Sequence, residues 1–423
     1  MASRMLRGMA AIALLASAIL AARTGQAQPF GLELHNTMMP AAGGMGGVSI
    51  ARPQDLTSAI NANPASLTQF RGTQFTFSGG WAEPTFNLTQ SAPLPLLGVD
   101  PYSAKSTAPG APVGNIGVTQ DFSALGLPAT FGMAFITTSG GNIDFRQVPE
   151  SNGTNTASAI FSLPVAVGVD LTERLHLGAS MALGIAYFDA PFVGLGGMTP
   201  DYALRGTLGM NYDVSDVTTV GMYYQSGQSY QFDNAIRFGP AGNFSNVQMD
   251  LPQNIGIGLA NSGLMEGRLL VAVDFLYKLW DEADLFSSSY RNQFVVQVGS
   301  QYDAGRYKLR VGYVWAQDPI DPNPGATIGG VNPPGGIPAV RYTQALLAIT
   351  GQHRVTMGVG MPDVLPGVDM DLMAGGMFHD TAQLGPDTTT SMVSYWIGFG
   401  MMWRFGRGAC ERMPIANDWG CDG

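Results

Sequence analysis

The chain has 423 residues and a formal net charge of −10, and only 12% of its residues are charged, against about 25% in ordinary soluble proteins. This acidic balance argues against nucleic acid as a partner, because nucleic acids attract basic surfaces. The shortage of charge also argues against an ordinary secreted all-β protein, whose outward faces would be far more polar.

The first 27 residues have the pattern of a secretory signal peptide. Arg4 and Arg7 precede an apolar run, Met9–Ala22, which is followed by small residues at Gly25 and Ala27. Cleavage after residue 27 removes three arginines and no acids, so the formal charge becomes −10 − 3 = −13. Beyond the signal, the sequence offers no run of roughly 18 apolar residues that would form a membrane helix. An exported chain with so few charges indicates a transmembrane β-barrel.

Residues 28–72 lie between the signal and the first predicted strand. This segment is rich in glycine from Gly43 to Gly47 and contains Asn63-Pro64-Ala65. Pro64 fixes its own φ, lacks an N–H group and biases Asn63 away from the helical region, so the two residues form a stiff corner. The side-chain amide of Asn63 can pair with backbone groups inside a barrel. Composition alone fits either a flexible linker or a plug, here called the hatch, and the strands that follow favour the hatch.

From residue 73 onward the sequence alternates with the period of two that is typical of strands. In Leu269–Leu279 the apolar residues occupy one phase, whereas Arg268, Asp274 and Lys278 share the other. We predict fourteen strands, an even number that brings both ends of the barrel to the periplasmic side; twelve and sixteen are the alternatives. The predicted strands lie near residues 73–83, 112–122, 128–138, 158–170, 174–188, 202–213, 217–226, 252–261, 267–280, 291–303, 306–316, 350–361, 367–379 and 391–405. Tyr230–Phe238 is a further candidate strand inside a loop.

The connections between these strands alternate in length. Short turns are predicted at Asp170–Arg174, Asp213–Asp216, Asn261–Gly267, Asp303–Arg306 and Pro362–Gly367. Longer connections are predicted at Asp189–Asp201, Gly227–Leu251, Asp281–Arg291, Ala316–Ile349 and Asp380–Ser391. Short turns on one side and long loops on the other are typical of outer-membrane barrels. The predicted fold is therefore all-β: a transmembrane antiparallel β-barrel of about 14 strands over 73–405, with the hatch, 28–72, inside its lumen.

The last strand places Tyr395, Phe399 and Phe405 on one face, which suits the aromatic girdle of a barrel. The chain then continues as a predicted periplasmic tail, 406–423, which holds both cysteines, Cys410 and Cys421. In an oxidising compartment these two either close a small terminal loop or stay reduced, and they lack the spacing of a metal site.

Three passages resemble the FadL/TodX family of outer-membrane transporters for long-chain fatty acids and other hydrophobic compounds. Gly43–Leu67 is similar to the family's hatch with its Asn-Pro-Ala motif, Leu251–Trp280 to a strand pair, and Leu309–Tyr313 to a strand ahead of a long loop. The resemblance extends from about Gly31 to Phe405. It implies a fourteen-stranded barrel with a gating hatch at Asn63, Pro64 and Ala65, an inner pocket, and sideways release of the ligand through a kink in the third strand.

The resemblance also implies a hydrophobic capture groove between the third and fourth extracellular loops, which by count are Asp189–Asp201 and Gly227–Leu251. The candidate ligand-binding residues there are Phe192, Leu195, Met198, Tyr230, Phe232, Phe238 and Phe244. Apolar loop residues either bind a ligand or pack against one another, and the sequence leaves both interpretations open.

The candidate ligand-binding residues of the lumen are Arg205, Lys278, Trp280 and Arg310, because their phase predicts that they point inward. Cations and large apolar residues share this face, and such a mixed wall suits an amphiphile. The cations either receive a carboxylate or pair with acids such as Asp274, Asp369 and Asp371.

Taken with these patterns, the resemblance implies a monomeric outer-membrane channel that takes up long-chain fatty acids or hydrocarbons by passive, hatch-gated diffusion with lateral release. The expected partners are hydrophobic small molecules and outer-membrane lipid, with no nucleic acid, metal or cofactor. The sequence contains no GxSxG, HExxH or Walker-type motif, so we expect no catalysis. A structural or adhesive barrel and a general porin are the alternatives, and the identity of the cargo stays open.

Overall fold

The structure, a computed structural model, describes residues 35–193, 198–238, 243–347 and 351–405. Seventeen strands lie within these ranges, and we label them in chain order. Their bounds are β1 (Thr73–Gln90), β2 (Tyr102–Lys105), β3 (Ala111–Asp121), β4 (Ala129–Asp144), β5 (Asn155–Asp170), β6 (Leu175–Val193), β7 (Thr199–Ser215), β8 (Thr218–Gln225), β9 (Gln228–Phe238), β10 (Ser245–Leu251), β11 (Gln253–Leu264), β12 (Leu269–Leu279), β13 (Gln293–Asp303), β14 (Lys308–Ala316), β15 (His353–Leu365), β16 (Val368–Leu384) and β17 (Thr388–Phe405).

Fourteen of these strands close into one antiparallel barrel, as predicted. Each barrel strand pairs with the next along the chain, and the ring closes where Thr73 of β1 pairs with Phe405 of β17. The remaining three strands belong to extracellular connections. Strand β2 pairs with β1, while β9 and β10 form a hairpin whose first strand also pairs in parallel with the end of β6. The candidate strand Tyr230–Phe238 therefore exists, but it lies outside the ring.

Two of the predicted long connections are wrong, because the strands on either side continue through most of them. Strands β6 and β7 extend into Asp189–Asp201, and β16 and β17 extend into Asp380–Ser391 until Leu384 pairs with Thr388. The second segment reads Asp-Thr-Ala-Gln-Leu-Gly-Pro-Asp-Thr-Thr-Thr-Ser. Beyond the lipid both faces of a strand meet water, so an extended hairpin need not show the alternation that identifies a strand.

Helical elements are few. The α-helices of the described residues are α1 (Pro40–Gly43), α2 (Leu56–Asn61) and α3 (Ile337–Leu347), and short 3-10 helices span Pro64–Gln69, Ser123–Leu125, Pro149–Ser151 and Trp280–Glu282. None of the described helices is long and apolar enough to cross a membrane.

The predicted alternation of faces is present in the barrel wall. Outward residues such as Phe275, Met357 and Ile397 are 53%, 65% and 60% exposed, while inward Leu276 and Trp396 are buried. Exposed apolar side chains from all around the ring form a belt, and a belt of this kind is stable only in contact with lipid. The protein is therefore a multi-pass outer-membrane barrel.

The lengths of the connections show which end of the barrel faces the periplasm. The connections at 216–217, 304–307 and 366–367 are short, and the opposite end carries β2, the β9–β10 hairpin and α3. Both ends of the barrel, Thr73 and Phe405, lie on the short side, which is the periplasmic side of such barrels. The signal peptide and the tail with its two cysteines lie outside the described residues.

The outward apolar belt predicts how much a charged residue on β15 should destabilise the barrel. Met357 lies well inside this strand and Leu365 at its periplasmic end, yet their side chains are about equally exposed, at 65% and 59%. We expect Met357→Arg to lower the free energy of unfolding by about 2–4 kcal/mol and the matched Leu365→Arg by about 0–1 kcal/mol, because the cost of a charge depends on its depth in the bilayer. Reversible unfolding in lipid vesicles measures the free energy of unfolding of both variants. Equal losses would contradict the orientation of the wall.

Candidate functional site

The hatch contacts strands from all sides of the ring. Helix α1 touches β15, β16 and β17; α2 touches β1 and β3–β5; and the 3-10 helix Pro64–Gln69 touches β4–β7. On the remaining side, β12 and β14 approach the stretch from Met45 to Ala51. A segment that touches a closed ring on every side lies within it. The hatch residues from Asn36 to Phe70 are almost all buried, so they fill this part of the lumen.

Side chains of the barrel accept hydrogen bonds from backbone N–H groups of the hatch. Oδ2 of Asp274 accepts hydrogen bonds from the N–H groups of Ser49 (2.7 Å) and Ile50 (3.1 Å), and Oγ1 of Thr356 accepts one from Gly46 (2.9 Å). A buried backbone N–H needs a partner, and an irregular segment cannot supply all of them itself. These contacts therefore fix the position of the hatch in the lumen. The sequence placed Asp274 inward but paired it with lumen cations rather than with the hatch.

The Asn63–Pro64 corner is bound to the wall at one point. Nδ2 of Asn63 donates to the carbonyl of Ile50 (2.8 Å) and to Oδ1 of Asn211 on β7 (2.7 Å), while its Oδ1 accepts from the N–H of Ala65 (3.2 Å). Pro64 begins the 3-10 helix directly after it. The side chain of Asn63 thus joins two parts of the hatch to β7.

Glycines in the wall permit this close contact. A Cβ added at Gly178 would lie 2.2 Å from the backbone N of Ala65, and one added at Gly209 would lie 2.0 Å from Oδ1 of Asn63. No heavy atoms approach so closely without displacement, so any larger residue at either position would push the corner away.

The extracellular end of the barrel is closed by its own loops. Most of α3 is buried, and the hydroxyl of Tyr342 shares hydrogen bonds with Tyr102 (2.7 Å) and Thr154 (2.8 Å). Burial raises the pKa of Tyr342 to about 12. The aromatic residues Phe188, Tyr230, Phe232 and Trp280 belong to the same apolar cluster, which we call the loop cluster.

The predicted loop residues divide between this cluster and the surface. Tyr230 and Phe232 are fully buried, with ring centroids 6.1 Å apart, and Phe238 is partly buried. Phe244 is 42% exposed, beneath the guanidinium of Arg237, and Met198 is 56% exposed. Leu195 and the side chain of Phe192 lie outside the described residues.

The four predicted lumen residues do not form one site. Arg205 donates to the backbone carbonyls of Ser226 (2.8 Å) and Pro252, and so holds the base of the fourth extracellular loop. Lys278 is buried in the lumen, and Trp280 lies in the loop cluster with Nε1 bonded to Oε1 of Gln293 (3.2 Å). Arg310 lies apart from these three, at the periplasmic end of the barrel.

Arg310 lies near the periplasmic mouth, in an ion pair with Asp371. Beside it, Arg404 pairs with Asp363 (2.7 Å) and Asp369 (2.9 Å). Among the described residues, both arginines thus have the acidic partners that the alternative interpretation of the sequence required. A cavity of about 140 Å³ lies between these pairs and the hatch.

The wall has a gap in β4, which is the third strand of the ring. Pairing between β3 and β4 ends at Asn115 and Ile136, and the register of β4 against β5 shifts between Thr137 and Ser139. Side chains replace the missing ladder bonds: Oγ1 of Thr137 donates to the carbonyl of Gly114 (3.0 Å), and Oδ1 of Asn115 accepts from the N–H of Thr137 (3.2 Å). The resemblance had implied a kink in this strand.

A cavity of about 330 Å³ occupies this gap, and we call it the lateral cavity. Its lining comes from β1, β3, β4 and β5, with Met198 from the third loop and Met392 from β17. The residues of β5 that line it include the outward positions Ala157, Ala159 and Phe161, so the cavity adjoins the lipid-facing side of the wall. Among the described residues of the predicted groove, Met198 alone lines this cavity.

Three solved structures share this architecture. The toluene transporter TodX of P. putida superposes with a TM-score of 0.62 at 16% identity, covering 86% of this chain and 98% of that chain. A FadL homologue of Pseudomonas aeruginosa gives 0.65 at 12% identity, covering 87% and 98%. The monoaromatic hydrocarbon channel CymD gives 0.54 at 14% identity, covering 89% and 99%. No protein-family model and no curated protein matches the sequence. The chain therefore has the fold of the FadL and TodX channels, as the resemblance predicted.

The contact between Asp274 and the hatch generates a prediction. We expect Asp274→Ala to speed amide hydrogen exchange at Ser49 and Ile50 by roughly ten- to a hundredfold, because a buried donor without a partner costs about 1–3 kcal/mol. Asp274→Asn keeps an acceptor oxygen and should restore most of the protection. Exchange measured by mass spectrometry tests both variants. Unchanged protection in Asp274→Ala would mean that other contacts hold the hatch.

Proposed function

We propose that this chain is a passive uptake channel for hydrophobic compounds, either long-chain fatty acids or hydrocarbons, and that it releases them sideways into the outer membrane. The observation that carries the proposal is the lateral cavity, because it places an apolar space at a gap in an otherwise closed wall. The related structures are a toluene transporter, a FadL homologue and a monoaromatic hydrocarbon channel, which supports the same class of cargo.

Capture would begin at the third and fourth extracellular loops. Phe244 and Met198 offer exposed apolar surface there, and Phe192 and Leu195 belong to the same predicted groove. The loop cluster closes the mouth below them, so cargo must displace part of this cluster in order to enter. Such a closed mouth argues against a general porin, which needs an open aqueous path, and the lateral cavity argues against a purely structural barrel.

The hatch is linked to the gap through Asn115. Its Nδ2 donates to Oγ of Ser78 (3.2 Å) and, at a longer distance, to the carbonyl of Met38 in the hatch (3.4 Å), while its Oδ1 accepts from Thr137. A shift of the hatch would therefore act directly on the side chains that bridge the gap. We assign the gating role to this link and to the corner formed by Asn63, Pro64 and Ala65.

The sideways route is tested by filling the lateral cavity. Ala159→Trp places a large ring in its lining, whereas Ala179→Trp makes the same change at an outward position of β6 away from it. We expect uptake of a hydrophobic probe such as toluene to fall to the level of cells without the channel in the first variant, and to persist in the second. Uptake is measured in a strain that produces each variant at equal level. Full activity of Ala159→Trp would contradict lateral release.

The gating corner is tested at Asn63. We expect Asn63→Ala and Pro64→Ala to change the rate of uptake while the barrel still migrates as a folded species in SDS at room temperature, because these changes weaken the hatch and leave the strands intact. Asn61→Ala is the matched control, since Nδ2 of Asn61 donates to Asn36 within the hatch rather than to the wall. If both corner variants transport like the parent, this corner has no gating role.

A further inference from the structure

We infer that the lateral cavity is an anion filter: it passes uncharged hydrophobes and excludes carboxylates, so the cargo is a neutral hydrocarbon rather than an ionised fatty acid. This inference rests on the proposed lateral route and narrows its substrate class. Three features of the cavity carry it: the composition of its lining, the acids at its edges, and the distance of the lumen cations from it.

The lining is uncharged. Within the part of the chain that the structure describes, it contains no Asp, Glu, Lys or Arg, and its polar side chains are only Thr137, Ser139, Asn142 and Ser158. Apolar walls come from residues such as Phe86, Phe161 and Met392. A carboxylate that leaves water here would have no cation to replace its hydration, and such desolvation without compensation is costly.

The edges of the cavity are acidic. Glu83 lies beside Gly110 of the lining, so that a Cβ added at that glycine would come within 2.3 Å of Oε2 of Glu83. Asp144 directly follows Ile143, and Asp189 pairs across the strands with Ala157; both of these neighbours line the cavity. All three acidic residues therefore lie within one residue or one strand pair of the lining.

In the described residues, Arg146 is the only cation that forms an ion pair with any of these three acids. Arg146 donates to both oxygens of Asp144, at 3.0 and 2.6 Å, so that pair is already neutral as a whole. The carboxylate of Glu83 accepts a hydrogen bond from the indole of Trp81 (2.8 Å), and Oδ1 of Asp189 is buried without a hydrogen-bond partner in the described residues. Glu83 and Asp189 thus form no ion pair within the described residues, although burial raises the pKa of Asp189 and the nearby charge of Arg146 partly opposes that shift. A carboxylate without an ion-pair partner repels an anion most strongly where water is scarce.

The cations of the lumen lie in other parts of the wall. Arg205 is on β7, Lys278 on β12 and Arg310 on β14, and none of them belongs to the lining. A carboxylate held by any of them would have to leave that cation before it crossed the gap. A neutral molecule meets no such barrier, because the lateral cavity offers it apolar contact throughout.

The test compares channel-dependent uptake of toluene and benzoate, two probes of similar shape that differ in charge. In the unmodified protein we expect toluene to enter and benzoate to be excluded. In the double variant Glu83→Gln/Asp189→Asn, we expect benzoate uptake relative to toluene to rise by about three- to tenfold, because neither side chain can then carry a negative charge. Asp100→Asn, an exposed acid of the first extracellular loop, is the control and should leave the ratio unchanged.

A second variant adds the missing cation. Ala159→Lys should admit benzoate, whereas Ala159→Met, which is similar in length but uncharged, should not. Folding of each variant is checked by its migration in SDS with and without heating. Equal entry of toluene and benzoate through the unmodified channel, or an unchanged ratio in both charge variants, would overturn the anion filter and leave lateral uptake standing. Failure of toluene itself to enter in a channel-dependent way would overturn the proposed function.

Discussion

The structure depends on one constraint: inside a membrane every backbone N–H and C=O group needs a partner within the protein. A closed ring of strands meets this requirement along most of the wall, since each strand pairs with two neighbours. The irregular hatch and the gap in β4 are two of the places that depart from the ladder. At both places side chains take over the bonds, Asp274 and Thr356 for the hatch, and Thr137 and Asn115 for the gap. The proposed hatch gate and the proposed lateral route thus lie where side chains, which can rearrange, replace a rigid ladder.

The side-chain hydrogen bonds that replace the ladder also connect the gap with the hatch. Asn115 uses its oxygen for the N–H of Thr137 and its nitrogen for Ser78 and Met38, so one side chain touches both features. Asn63 has a comparable position at the other end of the hatch, where it joins Ile50 to Asn211. Hydrogen bonds of this kind exchange partners at low cost, which suits the proposed shift of the hatch within a ring of strands that stays closed.

The sequence predicted the ring well and the contacts within it poorly, for physical reasons. Lipid on one side and a packed lumen on the other impose the period of two, and all fourteen barrel strands were identified from it. The ends of β6, β7, β16 and β17 lie beyond the lipid, where the period is no longer imposed, so the sequence pattern there predicts loops. The corner at Asn63 was identified because proline restricts its neighbour locally. The partners Asn211 and Asp274 were not, because they lie 148 and 224 residues away in the chain from the hatch residues that they bind.

The most direct test of the account is to map where cargo contacts the wall. A hydrophobic probe with a photoreactive diazirine, activated during uptake in cells, labels the residues along its path, and mass spectrometry identifies them. Lateral release requires labels at the gap, on the stretch from Thr137 to Asn142 and on the outward residues of β5 from Ala157 to Phe161. Labels confined to the periplasmic mouth, at Phe70, Met361 and Met402, would show that cargo passes the hatch into the periplasm and would contradict the account.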